Sequence, residues 1–513
     1  MSAKTIGIDI GTTSVKICLM ASDKSSSYSV AEFKKTVGFD FSILKCVQQA
    51  HNANINNKNT EYYEQNPAVI FDTIKKLCHS LETQSLETVS GICVTGQMHG
   101  IVLWNSKMLV QGIVCSSPLI TWMDRRVPQE FVDNLPRVQT DTSNMIHYFN
   151  INKMFHLKIK STNAEEIINE AWKFIDILEK SLLTCVILRA SSSESAQLHV
   201  GYGVVTLAWL QKYGKLDNQW DCCGTIMDMF NCYLAELESA CIGVQNAFSW
   251  GYCSLEGNWT VPDSLIPERL LPRIVKTGEI IGSVRRSDFP LPLNASIFSS
   301  IGDLQSTVYP LLTADISAGF LNLGTSAQLG CIQQKHQPNT PFTLPFFDDY
   351  YLIAVTSMNG GNTLQFLANK ILEWASLLSG NSELALNYDL FKRILDDCDE
   401  DSQDSEVKVM PTFYRERNDH MQSMIQGLSS QTSIRHLLHQ CCCGIIENLL
   451  RMFPIKRLTE FGVQKLLLAG NASQHCYRRI ISDRFRNFQQ IQRSDVIFSA
   501  DYGASLLALN KLN

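Results

Sequence analysis

The sequence has little charge and no excess of either sign. Asp, Glu, Lys and Arg make up 18% of its 513 residues, and 44 basic against 50 acidic side chains leave a net charge of −6. Nucleic-acid-binding domains usually carry a basic stripe, so no nucleic-acid partner is expected. No apolar run reaches the roughly 20 residues that span a bilayer. The residues after Met1 also turn polar too early for a signal-peptide core, so neither membrane insertion nor secretion is expected. Glycine (28) and proline (15) are too sparse for a collagenous or disordered chain. Cysteine is present at 17 copies, but no two stand in C-x-x-C spacing, which argues against structural zinc. That density is also far below a disulfide scaffold, so the expected state is cytoplasmic, with reduced and mostly buried thiols. Two nucleotide signatures are missing as well: neither G-x-x-x-x-G-K-[ST] nor a G-x-G-x-x-G after a strand occurs. P-loop, Rossmann and protein-kinase phosphate sites are therefore unsupported.

What is present reads as α/β. Short apolar runs, several of them β-branched, suggest strands at 5–10, 91–95, 317–323, 352–356 and 465–469. Helical patterns fall at 68–81, 364–378, 434–452 and 504–509. The length suits two large domains or three small ones. A turn-rich polar stretch at 250–262 is the best boundary, giving domains 1–257 and 258–513. Residues 139–197 break the rhythm and read as an insertion, with one amphipathic helix at 164–180 that Asn163 and Glu166 could cap.

Five strings could carry chemistry. In the first, an apolar strand bears Asp9 near its end and a Gly11-Thr12-Thr13-Ser14 turn leads into another strand. Glycine lets the backbone approach a phosphate, and consecutive turn N–H groups with hydroxyls make an anion-binding concavity. Asp9 could hold Mg²⁺ through water. The alternative is a plain β-hairpin. Gly324-Thr325-Ser326 repeats the pattern in the other half, which suits a nucleotide lying between two domains. Asp303 follows Gly302 just beyond a strand and is a candidate general base; an Asx turn or helix cap is the alternative. Gln97-Met98-His99-Gly100 and Trp122-Met123-Asp124-Arg125 combine apolar, aromatic and hydrogen-bonding groups, as a sugar requires, although Asp124 could equally serve a surface ion pair. Finally, Gly470-Asn471-Ala472-Ser473 closes a strand before a helix and leaves backbone donors for a nucleotide, or is a generic βα turn.

Together these strings resemble the FGGY family of carbohydrate kinases, over about residues 4–510 apart from the insertion. The resemblance implies two RNase H-like domains of the actin-like ATPase fold around a central cleft, the first binding sugar and the second nucleotide. It implies ATP and Mg²⁺ as cofactors, with Asp303 as the catalytic residue. Asp9, Gly11, Thr12, Thr13, Gly324, Thr325, Gly470 and Asn471 would bind the nucleotide and its metal, and Met98, His99 and Asp124 the sugar. Leu304-Gln305, the 245–252 string and Met358-Asn359-Gly360-Gly361-Asn362 bring the chain nearer to kinases of the seven-carbon ketose sedoheptulose. Ketopentose kinases usually read Gly-Asp-Asn at the catalytic turn. Three departures stand out: Ala469-Gly470-Asn471 where relatives often read Gly-Gly-Gly, Tyr414-Arg415-Glu416-Arg417 where Gly-Glu-Arg is usual, and the 139–197 segment. A xylulokinase-like enzyme, a nucleotide-operated binding protein of the actin or chaperone type, and an inactive relative remain alternatives.

Overall fold

The stretch Lys4–Ile10 (β1) is buried along all but its first residue: Ile6, Ile8 and Ile10 share one face, and Thr5, Gly7 and Asp9 share the other, which the C-terminal helix covers. A computed structural model describes residues 3–22, 41–81, 86–136, 198–311, 315–334, 342–381, 384–396, 406–414, 416, 421–491 and 499–512. The expected insertion at 139–197, with its helix at 164–180, lies outside the described residues. In the first sheet β1 forms an antiparallel hairpin with Ser14–Ser22 (β2), which pairs antiparallel with Phe41–Ala50 (β3). On its other side β1 runs parallel to Val89–Gly96 (β4). Ile280–Ser283 (β5), Ser296–Phe298 (β6) and Ile301–Gly302 (β7) complete the sheet, in the order β5-β6-β4-β1-β2-β3 with β7 also on β4.

The second sheet repeats that plan. Ala318–Leu323 (β8) and Ala327–Gln333 (β9) form the hairpin, and Tyr351–Ser357 (β11) takes the place of β3. Thr343–Pro345 (β10) flanks β11, while Lys465–Gly470 (β12) and Gln489–Ile491 (β13) run parallel beyond β8. Two sheets of one connectivity, each covered by helices, make up the two similar halves of this mixed α/β fold.

The expected helices are present: Pro67–His79 (α1) is shifted toward its N-terminus, Gly361–Ser379 (α6) and Ala500–Leu512 (α9) are longer than expected, and Ile434–Met452 (α7) coincides with its expected span. Asn66 caps α1 ahead of Pro67, and a Ser433–His436 capping box starts α7. Four further helices shape the site: Gly203–Lys212 (α2), Ile226–Ala235 (α3), Val244–Trp250 (α4) and Asp303–Val308 (α5). His475–Arg484 (α8) follows β12.

The two halves are interlocked by α5 and α9. The last helix lies on the first sheet, where Ser505 Oγ donates to the Thr5 carbonyl at 3.1 Å. A Cβ on Gly7 would overlap the Asp501 carbonyl, and one on Gly503 would overlap the Ser306 carbonyl of α5. Ile301, Val308 and Tyr309 share one apolar cluster with Phe320, Leu352 and Leu467 of the second sheet and Leu506 of α9. The expected boundary near Gly257 does not coincide with a change of sheet. Residues 280–302 belong to the first sheet, and sheet membership changes only between Gly302 and Ala318. The turn-rich stretch at 250–262 interrupts local structure, but strand pairing, a long-range property, carries on past it.

Of the fifteen cysteines in the described residues, none forms a disulfide and twelve are buried. Among those residues no helix is long and apolar enough to cross a membrane.

Candidate active site

The parallel register brings three strand ends to one edge. Asp9 pairs with Thr95, which pairs with Ile301; Ile10, Gly96 and Gly302 form the next row. The Gly11 turn, the Gln97–His99 segment and Asp303 therefore all leave from the carboxyl ends of neighbouring strands, where open α/β sheets bind ligands. Gly96 adopts φ 154°, and a Cβ there would overlap the Ile10 carbonyl. Gly470, at the equivalent place in the second sheet, has φ 59°.

Asp9 is buried, and burial pushes its carboxyl up to about 7; Lys16 opposes the shift, while Asp303 and Asp501 add to it. Lys16 stands opposite Asp9 in the hairpin, with Nζ 3.7 Å from Oδ2. A buried carboxylate crowded by two others is a fitting ligand for a divalent cation, which would remove the cost of ionising it.

The turn after β1 is held from behind by its carbonyls. Gln65 Nε2 donates to the Thr12 carbonyl at 2.7 Å, and the His51 N–H to that of Thr13 at 3.2 Å. The Gly11 carbonyl faces His51 Nε2 at 3.3 Å and Gln97 Nε2 at 3.5 Å. In a trans peptide the N–H points opposite to the C=O, so the N–H groups of Thr12, Thr13 and Ser14 are aimed the other way. Trp122 Nε1 also donates to Thr12 Oγ1 at 3.0 Å, tying this turn to the segment expected to hold sugar. The second turn follows the same design. The Gly324 carbonyl accepts from Gly361 N at 2.8 Å, and the Thr325 carbonyl from Asn362 N at 3.3 Å. Thr13 and Thr325 are exposed, and Gly11 and Gly324 half-buried.

Asp303 opens α5 and is exposed. Its Oδ1 accepts from the N–H of Leu304 at 2.8 Å, one residue on rather than the two of an Asx turn, and Gly302 rather than Asp303 stands at the helix cap, so the carboxylate stays accessible. The strand leading to it is held by buried side chains. Asn231 Nδ2 donates to the Phe298 carbonyl at 3.3 Å, and Gln245 Oε1 accepts from Gly302 N at 3.2 Å. Ser300 Oγ donates to Asp228, the residue that also closes the Thr225 capping box of α3. Burial raises Asp228 to about 6, against the hydrogen bonds from Ser300 and Thr225.

Met98 is buried against this turn, since a Cβ on Gly302 would fall on its thioether. His99 adopts φ 70°, a costly backbone for a non-glycine residue. Its ring stacks on Tyr202 of the α2 N-terminus at 4.6 Å. Its Nδ1 lies 2.7 Å from the Ser249 carbonyl, which makes Nδ1 the donor and Nε2 the acceptor of the neutral ring. Asp124 departs from its expected use. Its Oδ1 accepts from Arg126 N and Nε, and its Oδ2 from Tyr63 N and Arg126 Nη2, all at 2.8–2.9 Å. A carboxylate has about four acceptor directions. Asp124 is thus a buried strut joining two segments, with no direction left for a sugar hydroxyl.

At the second edge, the side chain of Asn471 accepts from Gln474 Nε2 at 2.7 Å and borders the Gly361 turn. Beneath lies a polar network the sequence reading missed. Glu416 is buried and accepts from Ser357 Oγ, Met358 N, Asn359 Nδ2 and Asn448 Nδ2, at 2.5 to 3.0 Å. Asn359 in turn bonds both backbone groups of Tyr414. Lys16, His51 and Gln65 were missed too. Lys16 could have been found, because a hairpin register places it opposite Asp9; His51 and Gln65 meet the turn only through tertiary structure.

No family profile matches the chain. It is 28% identical to a curated sedoheptulokinase of Homo sapiens, over 91% of this chain and 89% of that protein. It is 26% identical to the Mus musculus protein of the same name, over 99% and 97%. Among solved structures it resembles the xylulose kinase of Rhodospirillum rubrum (TM-score 0.67, 15% identity, 98% and 89% covered). It also resembles Plasmodium falciparum glycerol kinase with ADP (TM-score 0.66, 16% identity, 100% and 90% covered). At these identities the structural likeness speaks for the fold alone.

Proposed function

We propose that this chain, a carbohydrate kinase of the FGGY family, transfers the γ-phosphoryl group of ATP to the terminal hydroxyl of a ketose, with sedoheptulose as the substrate and its 7-phosphate as the product. The observation that carries this reading is the single edge at which exposed Asp303, buried Asp9 and the Met98–His99 segment emerge from adjacent parallel strands. The sugar oxygen forms its bond to the γ-phosphorus as the bond to the β–γ bridging oxygen breaks, and the hydroxyl proton passes to Asp303. Asp9 holds Mg²⁺ through water; when bound, the cation neutralises phosphate charge. The N–H groups of the Gly11–Thr13 and Gly324–Thr325 turns cradle phosphates, with Lys16 beside the first. Gly470 and Asn471 border the nucleotide base. Met98 and His99 face the sugar, and Asp124 acts indirectly by holding Tyr63 and Arg126 in place. Two halves joined by crossing helices could close and exclude water. The cysteines among the described residues, which form no disulfide, fit the reducing cytoplasm.

The test is ADP release on a panel of ketoses. Saturable release with the highest kcat/KM for sedoheptulose is expected, and Asp303→Asn should lower kcat by about 10²–10⁴. Near-full turnover in that variant would remove Asp303 from the base role. An ATPase rate indifferent to every sugar would favour the actin- or chaperone-type alternative, and a preference for xylulose the ketopentose one.

A further inference from the structure

Cys18 and Cys46 stand one rung behind the Asp9–Lys16 pair. The register sets Gly7 of β1 opposite Cys18 of β2, and Cys18 opposite Cys46 of β3. These residues share a face of the first sheet with Asp9 and Lys16, because alternate residues along a strand point the same way. Gly7 contributes no side chain to the row, and the first turn of α9 descends into the space it leaves, which brings Asp501 over the two thiols. One donor atom from each of Cys18, Cys46 and Asp501 lies within 4.8 Å of the other two, the one such group of metal-ligating side chains among the described residues.

A second observation points to a ligand. Asp501 is only 4% exposed, and its Oδ1 has no hydrogen-bond partner. A buried carboxylate oxygen left unpaired is costly, and a cation would satisfy it. The sulfur atoms supply the rest of the donor set. Cys18 is buried and Cys46 exposed, so an ion has a route in from solvent.

We propose that Cys18, Cys46 and Asp501 form a binding site for a thiophilic metal ion, Zn²⁺ under cellular conditions, separate from the Mg²⁺ of the phosphoryl-transfer site. Two thiolates and one carboxylate make a soft, three-ligand set that leaves a fourth position for water, and they discriminate against Mg²⁺, which takes oxygen donors. The ion ties the β2–β3 hairpin to α9, the helix that interlocks the two halves.

The experiment uses the full-length chain, reduced and treated with chelator, titrated with Cd²⁺ while the thiolate-to-metal charge-transfer absorbance is followed, with excess Mg²⁺ present throughout. The wild type is expected to show a saturating band that Zn²⁺ competes away. Cys46→Ser, at an exposed position, should lose that band, while Cys115→Ser should keep it. Asp501→Asn should keep part of the band and bind at least about tenfold more weakly. Circular dichroism of each variant separates loss of the site from loss of the fold. A band of wild-type size and affinity in Cys46→Ser overturns the site. Wild-type affinity in Asp501→Asn overturns the role of Asp501. A reduced wild type that takes up no Cd²⁺, and forms only a Cys18–Cys46 disulfide when oxidised, overturns the metal assignment altogether.

Discussion

Replacing Asp9 with Asn should stabilise the metal-free protein while disabling it, and the gain should depend on pH. In the folded chain burial raises the carboxyl from 3.8 to about 7. The unfolded chain therefore releases this proton near pH 3.8, whereas the folded chain keeps it until about pH 7. Across that window the folded state binds more protons, so wild-type stability falls as pH rises, by about 1.4 kcal/mol per unit. The whole window of about three units is worth roughly 4 kcal/mol, and the part above pH 5 roughly 3 kcal/mol. Asn carries no proton to release, so it escapes this loss. Urea unfolding of both proteins with chelator present, at about pH 5 and about pH 8, measures the difference. The stability advantage of Asp9→Asn should grow by roughly 3 kcal/mol between them. Adding Mg²⁺ at the higher pH should then stabilise the wild type alone, because only it gains a ligand by ionising. Parallel pH dependences in the two proteins would refute the reasoning, since Asp9 would then ionise as an ordinary surface carboxylate.

Two further outcomes test how the site is held. Gly503→Ala would drive a methyl group into the Ser306 carbonyl, and forcing α5 and α9 apart should cost about 1–3 kcal/mol in urea or thermal unfolding, with a lowered kcat because α5 begins at Asp303. Glu416→Ala would strip the common acceptor from Ser357, Met358 N, Asn359 and Asn448. It should destabilise the second half by about 3 kcal/mol and raise KM for ATP more than KM for the sugar; an equal rise in both would argue against a nucleotide-side role for that loop.

Much of the fold was legible because β-branched runs and 3.6-residue periodicity are local. The strands at 5–10 and 465–469 and the helix at 434–452 emerge within a residue or so of their expected ends. The two Gly-Thr turns were legible too, since a short turn between apolar strands leaves few other conformations. Asp124 was not. Its neighbours Trp122 and Arg125 suggested a sugar contact, yet Arg126 and the N–H of Tyr63 consume its oxygens, and Tyr63 is sixty-one residues away in sequence.

By itself, then, the sequence determined which segments form strands, where the two Gly-Thr turns lie, and that Asp9 and Asp303 are carboxylates at strand ends. Only the tertiary structure decided that those ends share one edge and that the first sheet continues past residue 257 to Gly302. It also decided that Gln65 braces the Gly11–Thr13 turn, that Glu416 braces the Ser357–Asn359 segment, and that Asp501 comes down over two cysteines. The physical reason is the reach of the interactions: side-chain alternation and turn chemistry act over a few residues, whereas strand register, helix crossing and burial join residues as much as 500 positions apart, as Thr5 and Ser505 show.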